Sequence, residues 1–205
     1  MNQNLISKKK TVPFSSIFMI TFLAIFVQSC GVNNIPTYDE DVKAKWSQIL
    51  NQYQRRADLV PMLVNTVKGY AAHEKSVLVE VTEARAKVTQ TTIPADILTN
   101  KAAFAQFQQN QAGLSGALSK LMVVMEKYPD LKANQNFLEL QSQLEGTENR
   151  ISVARRDYIA AVQKYNTEIR TFPGIIWKMI VHKDALVKEN FTADDSVKKA
   201  PEVKF

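Results

Sequence analysis

Residues 137–172 read FLELQSQLEGTENRISVARRDYIAAVQKYNTEIRTF and carry a large apolar side chain at every seventh position. Those positions are Phe137, Leu144, Ile151, Tyr158, Tyr165 and Phe172. Seven residues cover about two helical turns, so these side chains share one side of an α-helix and form a packing surface. The sequence therefore predicts a long helix from an N-cap at Asn134 to Phe172, where Pro173 and Gly174 end it.

A first stretch of similar character lies upstream, from Asp39 to about Val88. Apolar residues recur there at intervals of three and four, which is the pattern of an amphipathic helix. Thr37 or Asp39 is expected to cap its start. Proline within a helix removes one backbone hydrogen bond and clashes with the preceding turn, so we expect a kink or a break between Asp58 and Pro61.

A second stretch runs from about Asp96 to Tyr128 with the same helical spacing. Gly113 and Gly116 lie in its middle, where each lowers helix stability by roughly 1 kcal/mol relative to alanine. These glycines indicate either a close crossing with another helix or a local break. Pro129 ends the stretch, because the residue before a proline disfavours the helical conformation.

The fold class follows from these three stretches and from the lack of a strand-like alternating pattern in the sequence. We expect an all-α protein in which residues 38–173 form an antiparallel up-and-down bundle of three long helices. A break in the first or second stretch would make four. A chain of 205 residues can bury one sizeable core and is too short for us to expect two domains.

Composition narrows the classes of function. The single cysteine excludes an intramolecular disulfide framework and a cysteine-rich zinc site, and two histidines make a histidine-built metal site difficult to assemble. The formal net charge is +6, and Lys8, Lys9 and Lys10 contribute three of these charges. The other basic residues alternate with acidic ones along the predicted helices, so we expect no nucleic-acid partner. The sequence contains no glycine-rich phosphate loop and no zinc motif, so we expect no metal and no cofactor.

The N-terminus resembles a bacterial lipoprotein signal. The basic residues at 8–10 precede an uncharged apolar run at 17–27 that is shorter than a membrane-spanning helix requires. Val27-Gln28-Ser29-Cys30 then resembles a lipobox, in which the cysteine receives the lipid. We therefore expect a signal peptide over residues 1–29, membrane attachment through lipidated Cys30, and a tether over residues 30–37. The alternative is a short membrane anchor with an incidental cysteine.

Two further blocks resemble the LemA family. One is RRADLVPMLVNTVKGY at residues 55–70, and the other consists of YPDLKAN at 128–134 and LEGTENRI at 144–151. The resemblance extends over roughly residues 38–174. It implies a helical bundle carried by membrane-bound or lipid-anchored bacterial proteins with no established biochemical activity. Many members carry an N-terminal transmembrane helix, whereas this chain carries a lipobox and so resembles a lipid-anchored member.

Charged residues of the first and third stretches form the candidate site. We expect an interhelical polar network that fixes the register of the helices, formed by Arg55, Arg56, Glu145, Glu148, Arg150 and Arg155. The alternative is an envelope hydrolase or metal-dependent enzyme that uses Glu145, Glu148 and His73. A ferritin-type di-iron site requires a histidine three residues after a glutamate, and the sequence contains no such pair.

Residues 174–205 follow the predicted bundle as an apolar segment and a polar tail. Residues 174–183 contain Trp177 and nearby lysines, a composition that suits either a bilayer interface or a cover over the end of the bundle. Residues 192–205 are polar, and we expect them to be flexible. The predicted function is that of a non-catalytic, lipid-anchored helical scaffold in the cell envelope, with an unidentified envelope protein as its partner.

Overall fold

The computed structural model describes residues 31–192. The predicted signal peptide, Cys30 and the predicted tail from residue 193 onward lie outside this range. The regular structure within it comprises α1 (Asn34–Lys68), α2 (Lys75–Gln90), α3 (Lys101–Met125), α4 (Pro129–Lys132), α5 (Gln135–Glu168) and α6 (Gly174–Ile180). The prediction of an all-α bundle is confirmed. Among the described residues, no helix combines the length and the apolar character needed to cross a bilayer.

The four long helices, α1, α2, α3 and α5, alternate in direction. α1 and α5 lie antiparallel along their length, while α2 packs against both α1 and α3. Two side-chain contacts mark the antiparallel pairing of α1 with α5: Asn34 with Glu168 and Arg56 with Glu148. Glu80 of α2 and Lys120 of α3 form an ion pair across the α2–α3 hairpin. The bundle therefore takes the four-helix form that a break in the first stretch implies.

The break in the first stretch lies at residues 69–74, so the predicted break between Asp58 and Pro61 does not occur there. α1 continues through Pro61 and ends at Lys68. Pro61 has no N–H to donate to the carbonyl of Ala57, four residues earlier. Arg85 of α2 donates from Nε to that carbonyl oxygen at 2.9 Å. A donor on a neighbouring helix thus replaces the hydrogen bond that the proline removes.

α3 is a single uninterrupted helix. Its N-cap is Asn100, whose Oδ1 accepts a hydrogen bond from the backbone of Ala103 at 3.1 Å. Gly113 and Gly116 lie within the helix, and a Cβ added at either would meet no atom within 4 Å. Both alternatives offered for these glycines, a break and a close crossing, were therefore wrong. The helix ends at Met125, slightly earlier than predicted.

α5 contains the seven-residue repeat. Asn134 caps its start as predicted, with Oδ1 accepting from the backbone of Phe137 at 3.1 Å. The buried positions of the repeat are Phe137, Leu144, Ile151, Tyr158 and Tyr165. The helix ends at Glu168, and Phe172 is 79% exposed. Phe172 was predicted to be core and is not, because it lies in the turn beyond the end of the helix.

The start of α1 shortens the predicted tether. α1 begins at Asn34, ahead of the predicted caps Thr37 and Asp39, and Ile35 in its first turn is 3% exposed. Helix therefore occupies residues 34–37, which the sequence assigned to the tether over 30–37. Only residues 31–33 separate Cys30 from the folded bundle.

The apolar core consists of two clusters, one in each half of the bundle. One cluster combines the C-terminal parts of α1 and α3 with α2 and the first part of α5. The other combines the N-terminal parts of α1 and α3 with the second part of α5. Trp46 lies in this second cluster, with the rings of Phe104, Phe107 and Tyr158 at centroid distances of 5.6, 5.1 and 5.6 Å.

A segment after α6, residues 182–192, forms a C-terminal strap along the second cluster. Tyr158 donates from its hydroxyl to the carbonyl of Glu189 at 2.8 Å, and Asn166 bonds both the N–H and the carbonyl of Lys188 at 2.9 Å. Phe191 is 9% exposed and completes the aromatic cluster. The sequence indicated only an apolar segment and a tail here, so the strap is a feature that it did not predict.

Candidate interaction site beside a buried arginine

Arg56 of α1 lies between the two apolar clusters and is 2% exposed. A buried charge is tolerated when it is paired and hydrogen-bonded. Its Nη1 donates to Ser115 Oγ at 2.6 Å and to Glu148 Oε2 at 3.0 Å. Its Nη2 donates to the carbonyl oxygen of Gln111 at 3.1 Å and to Gln111 Oε1 at 2.7 Å. One guanidinium therefore joins α1, α3 and α5 at a single level of the bundle.

The structure brings two of the six predicted network residues, Arg56 and Glu148, into direct contact. Three of the other four, Arg55, Glu145 and Arg150, lie apart from this pair. Arg55 and Arg150 are exposed, and Glu145 is exposed and accepts a hydrogen bond from Gln141 at 3.0 Å. Arg155 lies near the pair, with its guanidinium 4.4 Å from the centroid of the Phe191 ring.

Sequence reasoning missed the α3 residues Gln111 and Ser115. Gln111 is 6% exposed and lies between Phe107 and Leu114 on the apolar side of the helix. A glutamine at such a position is a detectable signal, because a buried amide needs hydrogen-bonding partners. Ser115 gives no comparable signal, because its role depends on where α1 places Arg56.

The three residues of the alternative enzyme site do not converge. His73 lies exposed in the loop between α1 and α2. Asn134, at the start of α5, donates to the hydroxyl of Tyr70 in the same loop at 2.8 Å. Glu148 lies 14 residues further along α5, or about 20 Å at 1.5 Å per residue. Within residues 31–192, no three His, Cys, Asp or Glu side chains are grouped as metal ligands.

An open cleft of about 640 Å³ lies beside Arg56. Its walls come from α1, α3, α5 and the strap, and they are lined by Tyr53, Arg56, Ala105, Gln108, Gln109, Gln111, Ala112, Ser115, Glu148, Ile151, Arg155, Phe191 and Thr192. We call this the Arg56 cleft. Two guanidinium groups and one carboxylate give it a positive balance, and no carboxylate among residues 31–192 forms an ion pair with Arg155.

Tyr53 also lines this cleft. Burial raises the pKa of Tyr53, and the nearby guanidinium groups of Arg155 and Arg56 only partly oppose this effect. The phenol is therefore protonated at neutral pH and can donate a hydrogen bond. Together with the amides of Gln108 and Gln109, it makes the cleft suited to a ligand that carries acceptor oxygens.

The sequence is similar to two groups of known proteins, the LemA proteins and the magnetosome proteins MamQ. The sequence profile of the LemA family matches residues 45–205. The chain is 27% identical to magnetosome protein MamQ 2 of Paramagnetospirillum magneticum over 179 aligned positions, which cover 78% of this chain and 64% of MamQ 2. It is 23% identical to protein LemA of Metamycoplasma hominis, with 81% of this chain and 75% of that protein covered. The chain therefore spans less than two thirds of the length of this MamQ relative.

Proposed function

This chain belongs to the LemA family, and we propose that it is a non-catalytic, lipid-anchored scaffold of the bacterial cell envelope that binds a partner protein in the Arg56 cleft. Two elements make up this proposal. One is attachment to a membrane through lipidated Cys30, and the other is recognition of a partner segment that carries a carboxylate.

The proposed attachment follows from the sequence around Cys30 and from the start of α1. Val27-Gln28-Ser29-Cys30 resembles a lipobox, with a small residue directly before the cysteine. Two or three acyl chains on one cysteine hold a protein stably on a bilayer, whereas a single chain does not. Only residues 31–33 lie between Cys30 and α1, so the anchored bundle would stay close to the membrane surface.

The composition of the Arg56 cleft is the observation that carries the proposed binding. Both terminal nitrogens of Arg56 are hydrogen-bonded to residues of α3 and α5. Arg56 therefore holds the walls of the cleft together and is not the residue that we propose to bind the ligand. Arg155 has no ion-paired carboxylate among the described residues, and its guanidinium stacks on Phe191 at the edge of the strap. A guanidinium held in this way is a ready donor to a carboxylate, because a charge-assisted bond of this kind contributes roughly 1.5–3 kcal/mol.

In-cell photocrosslinking tests this proposal. A photoreactive phenylalanine derivative replaces Gln109, an exposed residue of the cleft, or Gln163, an exposed residue of α5 outside it. We expect one discrete protein adduct from position 109 and none from position 163. Arg155→Glu should abolish the adduct, while Arg155→Lys, which keeps the charge, should retain part of it. The proposed binding would be contradicted if no adduct formed at position 109, or if the adduct still formed at the same level in Arg155→Glu.

A further inference from the structure

The outer side of α6 exposes a compact set of apolar side chains. Ile175, Ile176, Met179 and Ile180 are 39%, 41%, 68% and 64% exposed, and we call them the α6 stripe. Their spacing of one, three and four residues places them on one side of the helix. Clusters of exposed apolar residues on a soluble domain indicate a surface that contacts something else.

The orientation of α6 is fixed by its inner side. Gly174 is buried there, and a Cβ at this position would lie 2.1 Å from the carbonyl oxygen of Glu168. Trp177 packs against the second apolar cluster from the same side. Because the backbone of α6 lies so close to the end of α5, the stripe cannot turn inward without a rearrangement of the bundle.

The stripe lies at the end of the bundle where the chain enters from Cys30. His182, two residues after α6, has Nε2 at 3.0 Å from the carbonyl oxygen of Val32. Only three residues separate Cys30 from Asn34, so the Cα atoms of Cys30 and Asn34 lie at most about 14 Å apart. An acyl chain on Cys30 would therefore enter the bilayer beside the stripe.

We infer that the α6 stripe inserts into the membrane interface and holds the bundle against the bilayer. This inference rests on the proposed attachment through Cys30. An interfacial helix commonly buries its apolar side about 5–10 Å into the boundary between headgroups and acyl chains, a depth that fits four exposed apolar side chains. Lys178 and Lys183 lie in and beside the helix, where they can contact anionic headgroups.

A fluorophore on the stripe tests this inference in the mature, acylated protein. Met179→Cys and Val123→Cys each carry an environment-sensitive label, and the two native side chains are similarly exposed at 68% and 70%. Acylated Cys30 does not react, so each variant has one labelled site. The proteins are reconstituted into vesicles of phosphatidylcholine and phosphatidylglycerol that contain lipids with a nitroxide quencher in the acyl chain.

We expect a blue-shifted emission at position 179 and at least about twofold stronger quenching by the nitroxide lipid than at position 123. Adding Ile176→Glu and Ile180→Glu should remove this difference in quenching, because charged side chains do not enter the membrane interface as isoleucine does. Both native side chains are exposed, so the bundle should stay folded in this variant. Equal quenching at the two positions would overturn the inference. A blue shift without quenching would also overturn it, because protein rather than lipid would then cover the stripe.

The mass of the N-terminal peptide separates failure of this inference from failure of the proposed function. An acylated Cys30 with an unquenched label at position 179 would overturn the membrane contact and leave the lipid anchor intact. An unmodified Cys30 would overturn the lipid anchor. Its free thiol would also react, so the label at position 179 would then be measured in a Cys30→Ala background, where quenching would support membrane contact by the stripe itself.

Discussion

At the scale of single residues, Arg56 decides how α1, α3 and α5 meet. Arg56→Ala removes four hydrogen bonds and leaves a cavity and a buried glutamine without its partner. We expect a loss of about 3 kcal/mol in the free energy of unfolding. The exposed neighbour Arg55 is the matched control, and Arg55→Ala should change the free energy by less than about 0.5 kcal/mol. Urea denaturation measures both values.

Substitution of Glu148 should lower the free energy of unfolding much less than substitution of Arg56, although the two side chains form one ion pair. The Glu148 side chain is 55% exposed, whereas that of Arg56 is 2% exposed. Water screens the pair from the glutamate side, so Glu148→Gln should cost no more than about 1 kcal/mol. Equal losses for Arg56→Ala and Glu148→Gln would contradict the view that the buried side chain, rather than the ion pair, supplies the stability.

A second residue-scale prediction concerns the hydrogen bond from Arg85 to the carbonyl of Ala57. Arg85→Leu should cost roughly 1.5–3 kcal/mol, because the acceptor is buried and the donor is charged. Pro61→Ala restores an N–H that can reach the same carbonyl, so Arg85→Leu should cost less in that background. A double-mutant cycle measures this coupling. Additive effects of the two substitutions would show that Arg85 does not compensate for the proline.

The contact between Asp39 of α1 and Lys188 of the strap should make stability depend on pH. Burial acts to raise the pKa of Asp39, but hydrogen bonds from Lys188 and Lys43 outweigh it and lower the pKa. The stabilisation is therefore fully present above about pH 4, the ordinary pKa of an aspartate, and is lost as the pH falls through the lowered value. The difference in unfolding free energy between wild type and Asp39→Asn should shrink from pH 6 to pH 3. A difference that does not change would contradict this assignment.

The sequence identified Arg56 and Glu148 but not the residues that complete their surroundings. Both are charged residues in stretches with clear helical spacing, so their types and positions could be read directly. Gln111, Ser115 and Arg85 act through contacts between helices that are distant in sequence. Such partners depend on the packing of the bundle, which the spacing of apolar residues within one helix does not specify.

At the scale of elements, the glycines of α3 and α6 have opposite roles. Gly113 and Gly116 lie in the interior of α3 with open space around the position of a Cβ. Gly113→Ala and Gly116→Ala should therefore each stabilise the protein by roughly 0.5–1 kcal/mol. Gly174→Ala should instead destabilise it, because its Cβ would overlap the carbonyl oxygen of Glu168. Thermal unfolding compares the three variants, and a stabilising Gly174→Ala would contradict the tight contact between α5 and α6.

Helix positions were more predictable than helix ends or the strap. The seven-residue repeat and the Asn134 cap define α5 because both are local features of the sequence. Its last turn ends before Phe172, and no local feature marks that point. The strap from residue 182 to 192 has no periodic pattern, and its backbone forms hydrogen bonds with the side chains of Tyr158 and Asn166. Such contacts become visible only when α5 and the strap are placed together.

At the scale of the whole molecule, the described bundle exposes the apolar α6 stripe at one end and the Arg56 cleft on one side. The start of α1 and the α6 stripe lie at the same end of the bundle. The Arg56 cleft lies near the middle of the bundle, where α1, α3, α5 and the strap meet. An anchor at Cys30 would therefore leave the cleft open to other proteins of the envelope.

Lipid attachment at Cys30 is the central claim, and the intact mass of the protein purified from membranes tests it most directly. We expect a mature chain that begins at Cys30 and carries a diacylglyceryl group, with or without a third acyl chain on the new N-terminus. Cys30→Ala should accumulate as an unmodified precursor that retains residues 1–29. A wild-type protein that retains residues 1–29 and an unmodified Cys30 would contradict the claim.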